Sequence, residues 1–353
     1  MLARRWQCER CHFAAHRRSR RRGDVLRLPG GSREAVLSTA THLFLSEALG
    51  QYGFPEGHPL SVDRQGAFWR SAGARGLDRR VTVAQSRAAE RAAIERFHRP
   101  EYVERVIAAS RAGTGYLDYG DTPAFAGCYE VASHLVGAAL EGARRIMRGE
   151  ARRTFQPIGG LHHARRAAAA GFCVFNDLGV LIETLRAEYG VRRIAYVDID
   201  VHHGDGVFYE FERDAELIVA DIHEDGSYLY PGTGFAYETG KGDAEGTKLN
   251  LPLRPGAGDA EFFGAWDEAE RFLERHAPEF VLLQCGADGL AGDPLADLRL
   301  TPAAHAHATR RLLALADRHA RGRLMVFGGG GYSLENLSSA WCAVVQELVN
   351  GAG

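Results

Sequence analysis

Short apolar runs that alternate with longer segments of helical periodicity constrain the fold of this 353-residue chain more than any other feature. Buried parallel strands show such continuous apolar runs because helices cover both faces of their sheet. The alternation therefore predicts a single α/β domain with a mainly parallel central sheet and helices on both faces. The predicted strands are 154–158, 193–199, 216–222, 279–285 and 323–327, and the predicted helices are 84–97, 102–111, 128–148, 177–189, 259–276, 302–319 and 333–349.

The amino-terminal end differs in composition from the rest of the chain. Residues 1–22 contain eight arginines and one acid, whereas the whole chain has a net charge of −2. We therefore expect a basic, disordered arm over residues 1–34 and one folded domain over residues 35–353. Cys8, Cys11 and His12 match a haem-attachment motif and also half of a zinc site. Haem attachment needs an exported protein and a zinc site needs two further ligands, so the solvated arm is favoured.

Composition also argues against several classes of partner. A net charge of −2 provides no positive field that would draw the folded domain onto nucleic acid or an anionic bilayer. No apolar stretch reaches the roughly 18–20 residues of a bilayer span, and residues 1–30 lack the apolar core of a secretion signal. Six cysteines are too few for a disulfide scaffold in a chain of this length. We expect a cytoplasmic protein with reduced thiols.

Polar residues follow each of the five predicted strands. In an open parallel sheet, functional residues gather beyond the carboxyl ends of the strands, so these residues should meet at one edge. The residues at the five strand ends are His162 with His163, the segment 198–205, His223, Asp288, and Tyr332 after four glycines.

The segment from Asp198 to His202 predicts a metal site. Residues two apart point to the same side of an extended chain, so Asp198, Asp200 and His202 share one side. Carboxylates this close repel one another unless a cation or hydrogen-bond donors compensate. With Asp288 from another strand, Asp200 and His202 would form a three-ligand set with one open position, as in catalytic zinc sites. For this segment alone, a hydrogen-bonded strand end is an equal alternative.

His162 and His163 favour catalysis over that alternative. Imidazoles titrate near neutral pH, so they can take a proton from water and return one to a leaving group. Asp198 and Asp205 could orient the two rings. His203 points away from His202 in an extended chain, and we expect it to be a buried structural histidine.

The four glycines 328–331 lead into Tyr332. No Lys-Ser/Thr pair follows them, which argues against a phosphate-binding loop. Glycines let the backbone approach a ligand closely, and the Tyr332 hydroxyl could donate to a developing oxyanion. A glycine-rich turn that carries a surface tyrosine is the alternative, and for this segment alone it would be favoured.

Together these motifs resemble the histone deacetylase superfamily, within the arginase–deacetylase fold, over about residues 50–349. The residues of these motifs are most similar to those of the bacterial acetoin-utilisation branch. Residues 1–30 have no counterpart in the family. The matching blocks are 57–59, 120–123, 159–164, 171–177, 197–206, 230–234, 286–288 with 292–294, and 328–332.

This resemblance implies a zinc-dependent hydrolase that removes acetyl or related acyl groups from lysine side chains of proteins. Zinc, or alternatively Fe²⁺, would be bound by Asp200, His202 and Asp288. The implied catalytic residues are His162 and His163 as general base and acid, Asp198 and Asp205 as their carboxylate partners, and Tyr332 as the group that polarises the acyl carbonyl.

The resemblance also implies a substrate tunnel and a structural cation. Phe172 and Tyr230 would form its walls, although the family usually has Phe at the second position. Asp121 would grip the substrate backbone at the rim, and Arg64 would lie in an acetate-release channel. The full set implied for the substrate is Asp121, Gly171, Phe172, Tyr230, Gly330 and Arg64, and the set implied for a structural K⁺ is Asp198, Asp200, His202, Asp221 and Ile222.

Three other functions stay open from the sequence. An acetylpolyamine amidohydrolase, which acts on a small acetylated amine, would share the catalytic residues and differ at the rim. A non-catalytic acyl-lysine binding module would keep the tunnel without hydrolysis, although every hydrolytic position is filled here. A binuclear manganese ureohydrolase needs further bridging carboxylates, whereas His203 follows His202 in this chain.

Overall fold

The computed structural model describes residues 41–55 and 57–351, which fold around one eight-stranded sheet. All neighbouring strands run parallel, in the order β2-β1-β3-β8-β7-β4-β5-β6. The predicted α/β fold with a mainly parallel sheet is therefore confirmed. The strands are β1 Thr41–Phe44, β2 Thr82–Ala84, β3 Arg153–Gln156, β4 Ile194–Asp198, β5 Leu217–Glu224, β6 Lys248–Leu253, β7 Phe280–Gln284 and β8 Leu324–Phe327.

Five of the ten α-helices in the described residues begin with a side-chain cap or a proline. The Asn176 side chain accepts a hydrogen bond from Gly179 N at the start of one helix, and Pro302 follows the capping Thr301 at the start of another. The α-helices are α1 Glu47–Gly50, α2 Arg64–Ala74, α3 Arg91–Ile94, α4 Pro100–Ala112, α5 Cys128–Met147, α6 Asp177–Tyr189, α7 Asp205–Glu210, α8 Asp259–His276, α9 Pro302–His319 and α10 Leu334–Asn350.

One predicted helix is wrong. The segment 84–97 was expected to be helical throughout, but it begins in strand β2, and only the short α3 is helical. Ala84 pairs with Phe44 of β1, so sheet pairing overrides the local helical periodicity. Three strands were not predicted. Strands β1 and β2 are only four and three residues long, and half of the residues of β6 are only partly buried.

The strand order explains why a site forms. The five strands predicted from the sequence are β3, β8, β7, β4 and β5, and they are consecutive neighbours in the sheet. Strands β4 and β7 at the centre are buried at every residue. Since all strands are parallel, their carboxyl ends lie along one edge, and the polar residues that follow them are brought together there.

The two predictions for the amino-terminal end concern residues outside the described part of the chain. They are the basic arm over 1–34 and the motif at Cys8 and Cys11.

Cys128, Cys173, Cys285 and Cys342 are buried free thiols. In the described part of the chain, no helix combines the length and the apolar character that a bilayer crossing requires.

Candidate active site

Three potential metal ligands meet beyond the carboxyl ends of β4 and β7. Asp200 and His202 follow β4, and Asp288 follows the neighbouring β7. One ligand atom from each residue lies within 4.8 Å of the other two, and all three side chains are buried. The structure therefore brings together the residues that the sequence predicted as a metal site.

The environment of these three residues fits a bound cation. Asp200 Oδ2 accepts hydrogen bonds from Gln284 Nε2 and Gly330 N, both at 2.8 Å. Asp288 Oδ2 is buried, accepts no hydrogen bond within the described part of the chain and lies 3.3 Å from His202 Nδ1. Burial opposes protonation of His202, but the two carboxylates outweigh it and raise the pKa of His202 to about 10. A buried carboxylate oxygen that accepts no hydrogen bond, next to a second carboxylate, favours a bound cation, and an Asp₂His set supplies suitable ligands for a divalent metal.

Two glycines let the backbone pass close to these carboxylates. A Cβ atom at Gly286 would lie 2.0 Å from Asp200 Oδ2, and one at Gly330 would lie 2.0 Å from Asp288 Oδ2. No side chain fits at either position while the carboxylates keep their places. These glycines are therefore needed for close approach of the backbone, as expected for part of the run 328–331.

His162 and His163 form a hydrogen-bonded pair with a carboxylate at each end. His162 Nδ1 lies 2.7 Å from Asp198 Oδ2, and His163 Nδ1 lies 2.7 Å from Asp205 Oδ1. The two Nε2 atoms are 3.0 Å apart, so one of them donates to the other. Asp205 also accepts from Arg165 Nη2 at 2.7 Å. Both predicted carboxylate partners are thus in place.

The two imidazoles differ in their affinity for a proton. For His162, burial opposes the charged form, but the carboxylates of Asp198 and Asp200 outweigh it and raise the pKa to about 9. For His163, burial and the neighbouring His162 lower the pKa to about 4. Of the two rings, His162 therefore holds a shared proton more tightly than His163 does.

His203 is buried away from this cluster, as expected. Its Nδ1 lies 2.9 Å from Thr233 Oγ1, and its ring packs against His223 with centroids 5.0 Å apart. Burial lowers the pKa of His203 to about 4, so the ring is neutral. His223, another residue at a strand end, bonds Asp221 at 2.7 Å and contributes to the interior rather than to the cavity.

An open cavity of about 220 Å³ leads to the cluster. His163 and His202 lie at its inner end, Asp121 is exposed at its mouth, and the rings of Phe172 and Tyr230 line its sides. The Phe172 ring packs edge-on against Tyr332 with centroids 5.8 Å apart. The predicted tunnel residues are therefore neighbours in the structure. The residues that line the cavity are Asp121, His163, Gly171, Phe172, His202, Leu229, Tyr230, Leu295 and Tyr332.

Arg64 lies behind this cavity and does not line it. The guanidinium is 2% exposed and donates to Gly331 O at 3.0 Å and to Gly329 O at 2.5 Å. It therefore holds the glycine loop that carries Tyr332. Gly330, in the same loop, borders the inner part of the site next to Asp200.

Several supporting residues were not predicted individually. Asp177 accepts from Gly160 N at 2.9 Å and Leu161 N at 2.8 Å, and so fixes the turn before the histidine pair. Asp293 accepts from Tyr332 N at 2.9 Å. Both residues lie in blocks that carried the family resemblance, but nothing in the sequence shows which backbone groups they reach.

Other supporting contacts act on the walls of the cavity. The Tyr52 hydroxyl donates to Phe172 O at 2.7 Å and accepts from Val174 N at 3.1 Å. Asp118 accepts from three backbone N–H groups of the rim loop, including Asp121 N at 2.9 Å. An Asp followed two residues later by Gly is a recognisable turn signal, so the contacts of Asp118 could have been predicted, whereas those of Tyr52 could not.

The comparisons with known proteins agree with this geometry. The model of the histone deacetylase domain matches residues 58–348. The chain is 32% identical to histone deacetylase RPD3 of Saccharomyces cerevisiae over 309 residues, which cover 85% of this chain and 69% of that protein. It is 34% identical to histone deacetylase 6 of Arabidopsis thaliana, covering 85% of this chain and 64% of that protein.

A bacterial relative and a solved structure extend the comparison. The chain is 35% identical to the acetoin utilization protein AcuC of Bacillus subtilis, covering 75% of this chain and 71% of that protein. The crystal structure of the HDA15 HD domain superposes with a TM-score of 0.83 at 28% identity, covering 89% of each chain. The chain belongs to the histone deacetylase family.

Proposed function

We propose that the protein is a metal-dependent deacetylase that hydrolyses the amide bond between an acyl group and a lysine side chain of a protein. One observation carries this proposal. His202 of a potential metal triad and His163 of a hydrogen-bonded histidine pair line the same cavity. The three ligand atoms of the triad lie within 4.8 Å of one another, and the Nε2 atoms of the histidine pair are 3.0 Å apart.

Asp200, His202 and Asp288 would hold the metal ion. We propose Zn²⁺, with Fe²⁺ as the alternative, because two carboxylate oxygens and one imidazole nitrogen accept either ion. When bound, such an ion supplies Lewis-acid polarisation of the acyl carbonyl and makes water more acidic. The hydrogen bonds from Gln284 and Gly330 to Asp200 orient this ligand.

His163 is proposed to move the proton. It lines the cavity, whereas His162 lies deeper beside Asp198. Because the pKa of His163 is lowered to about 4, its ring is neutral near pH 7. Its Nε2 can accept a proton from the attacking water when it gives up the hydrogen bond to His162 Nε2. The same ring then returns the proton to the leaving amine. His162 lies between Asp198 and His163 and orients the ring of His163.

Tyr332 is proposed to donate a hydrogen bond to the acyl oxygen. Burial raises the pKa of Tyr332 well above its usual value, so the hydroxyl keeps its proton. Arg64 and Asp293 fix the loop on which Tyr332 stands. A fixed donor aimed at developing negative charge stabilises the transition state without reorganisation. Phe172 packs against Tyr332 and keeps water from this side of the cavity.

The cavity supports an extended acyl-lysine substrate. Phe172 and Tyr230 would enclose the lysine stem, and the exposed Asp121 would accept hydrogen bonds from the backbone of a peptide. An acetylated polyamine would fit the same inner site, and it remains the second candidate because the catalytic residues would be the same. The hydroxyl of Tyr230 adds a polar group to a wall that would be purely apolar with Phe.

We also propose a structural cation site, a location in the cell and a division of the chain into an arm and one domain. A structural K⁺ is assigned to Asp198, Asp200, His202, Asp221 and Ile222. Cytoplasmic location is proposed because the four described cysteines are free thiols. The catalytic function is assigned to one domain over residues 35–353, with residues 1–34 as a separate arm.

The deciding experiment assays purified protein on a panel of acyl-lysine peptides and acetylated polyamines with metal content measured. The proposal predicts turnover of acetyl-lysine peptides, loss of turnover after metal removal and recovery on addition of Zn²⁺ or Fe²⁺. Preferential turnover of acetylpolyamines would favour the second candidate. Binding of acyl-lysine without turnover at full metal occupancy would favour a binding module, and two metal ions per chain would favour a ureohydrolase.

A further inference from the structure

Arginines concentrate at the edge of the sheet where the strands begin, opposite the candidate active site. Among the described residues, six arginines lie at the first residue of β3, β8 or β4 or within three residues before it, and we call this group the basic edge. Strands β3, β8, β7 and β4 are consecutive parallel neighbours, so at a spacing of about 4.8 Å their starts form a line of about 14 Å. The arginines of the basic edge are Arg152, Arg153, Arg192, Arg193, Arg321 and Arg323.

Two arginines of the basic edge share one carboxylate. Asp317 accepts a hydrogen bond from Arg152 Nη2 at 2.9 Å and another from Arg153 Nη2 at 3.4 Å. The side chain of Arg153 is 2% exposed, and its other bond, to Leu348 O, is also 3.4 Å long. The Nε atoms of Arg152 and Arg153 are buried and have no acceptor in the part of the chain that the structure describes. Buried N–H groups are normally paired, so positive charge exceeds its compensation here.

The exposed arginines of the basic edge are compensated even less. Arg193 and Arg321 are exposed, Arg323 is partly exposed, and none of the three forms an ion pair with another described residue. Burial and the neighbouring Arg321 lower the pKa of Arg323, as expected where like charges lie close together. These three guanidinium groups are therefore available to an external anion.

Other carboxylates near the basic edge already have partners. Glu150 pairs with Arg144 of α5 at 2.9 Å, and Glu216 pairs with Arg192. Glu279, directly before β7, accepts hydrogen bonds from two backbone N–H groups at 3.0 and 3.2 Å. These contacts leave the charge of the exposed arginines unbalanced.

The negative ends of the helices do not explain the basic edge. Helices α6, α8 and α9 lead into β4, β7 and β8, and the carboxyl end of a helix carries about half a negative charge. Their last turns already contain basic residues, which are Arg186 in α6, Arg275 and His276 in α8, and Arg318 and His319 in α9. The arginines of the basic edge lie beyond these turns, so their positive charge is additional.

We propose that the basic edge binds the phosphate backbone of duplex DNA. Each DNA strand carries one phosphate per about 3.4 Å of helix axis, so a line of about 14 Å meets about four phosphates. Guanidinium groups bind phosphate oxygens through paired N–H donors. A single phosphate would use only part of this line, whereas an extended polyanion uses all of it. The net charge of −2 does not argue against this contact, because it averages over the whole chain.

The position of the basic edge leaves the candidate active site free. Parallel strands begin at one edge of the sheet and end at the other, and Asp200, His202 and Asp288 lie beyond the carboxyl ends. A chain bound to DNA through the basic edge would keep its cavity open to acyl-lysine on other proteins that are bound to the same DNA. This consequence rests on the proposed function, whereas DNA binding itself does not.

The test measures binding of the full-length protein to a fluorescein-labelled DNA duplex by fluorescence anisotropy over a range of KCl concentrations. A triple variant with Arg193→Gln, Arg321→Gln and Arg323→Gln removes three positive charges without breaking an ion pair between described residues. Its Kd should be at least about 10-fold higher than that of wild type in about 100 mM KCl. The slope of log affinity against log salt should become shallower by about 2 to 3, because each lost phosphate contact removes about 0.9.

The matched control is a triple variant with Arg111→Gln, Arg254→Gln and Arg299→Gln. These arginines are also exposed and form no ion pair with another described residue, and Arg254 and Arg299 lie beyond the carboxyl ends of β6 and β7. The control should keep the wild-type Kd and salt slope. Residues 1–22, with eight arginines, are the same in all three proteins and cannot cause a difference. Equal affinity of the two triple variants would overturn the proposal, as would binding of wild type to phosphatidylglycerol vesicles but not to the duplex.

A measurement on wild type decides the question if the first triple variant does not fold. Phenylglyoxal modifies accessible arginines, and mass spectrometry of peptides locates the modified positions. The duplex should protect Arg193 and Arg321 from modification but not Arg254 and Arg299. Equal modification of all four arginines with and without the duplex would also contradict DNA binding at the basic edge.

Discussion

Replacing Gly330 by alanine should disrupt metal binding by steric contact alone. The new Cβ would lie 2.0 Å from Asp288 Oδ2 and 2.9 Å from Asp200 Oδ2. Gly330, unlike Gly329 and Gly331, does not have a positive φ, so alanine meets no backbone strain there. The effect of the substitution therefore comes from the two carboxylates that it contacts.

The size of the effect follows from the distance. An ordinary contact begins at 3.4 Å, so Asp288 Oδ2 must move by about 1.4 Å. Metal sites tolerate changes in ligand distance of about 0.2 Å. Changes to residues that only orient a ligand cost about 10- to 100-fold in metal affinity, and here a ligand itself is displaced. We expect zinc affinity to fall at least about 100-fold, which corresponds to about 2.7 kcal/mol.

The assay is competition for Zn²⁺ against a chromophoric chelator at equilibrium, so it does not depend on turnover. Gly264→Ala is the control, because Gly264 is exposed in α8 and a Cβ there meets nothing within 4 Å. This control should keep wild-type zinc affinity and gain about 0.5–1 kcal/mol of stability from the lower entropy of alanine. If Gly330→Ala binds Zn²⁺ as tightly as Gly264→Ala, the ion does not lie against Asp288 Oδ2 and the proposed site is wrong.

Three further predictions test other parts of the structure. Tyr332→Phe should lower kcat at least about 100-fold at unchanged zinc affinity, because it removes one hydrogen-bond donor to the acyl oxygen, and near-normal turnover would exclude that role. His163→Ala should also lower the single-turnover rate constant at least about 100-fold, since the other basic groups that line the cavity are His202, a proposed metal ligand, and Asp121, which lies at the mouth. Burial lowers the pKa of His98 to about 3 from 6.5, so the stability that neutral His98 supports is complete above pH 6.5 and is lost as the pH falls toward 3. Between pH 7 and pH 5, the free energy of unfolding of His98→Gln, measured in urea, should therefore fall by about 2 kcal/mol less than that of wild type. An equal fall in the two proteins would contradict this.

The central part of the fold was predictable because its strands are buried on both faces. Continuous apolar runs identified β3, β4, β5, β7 and β8. The short β1 and the edge strands β2 and β6 were missed, because β1 and β2 have only four and three residues and half of the residues of β6 are only partly buried. The order of the strands could not be derived from periodicity, since it depends on how the helices pack between them. This order places β7 next to β4 and so brings Asp288 to Asp200 and His202.

The candidate site was predictable where one short segment carries several chemical groups. Asp200 with His202, and His162 with His163, lie close together in sequence as well as in space. Gln284 was not predictable, because a buried glutamine in an apolar strand carries no signal that its amide bonds Asp200. The bonds from Arg64 to the glycine loop were not predictable either, because they join residues more than 260 positions apart.

The separation of these contacts along the chain has a consequence for how the protein becomes active. Gly330 N bonds Asp200 across 130 residues, and Val201 N bonds Asp288 across 87. No fragment that ends before the last strand contains all the groups that hold the ion in place. Metal capture should therefore occur late in folding, after β8 has docked between β3 and β7, and time-resolved zinc uptake should follow the final folding phase rather than the early collapse.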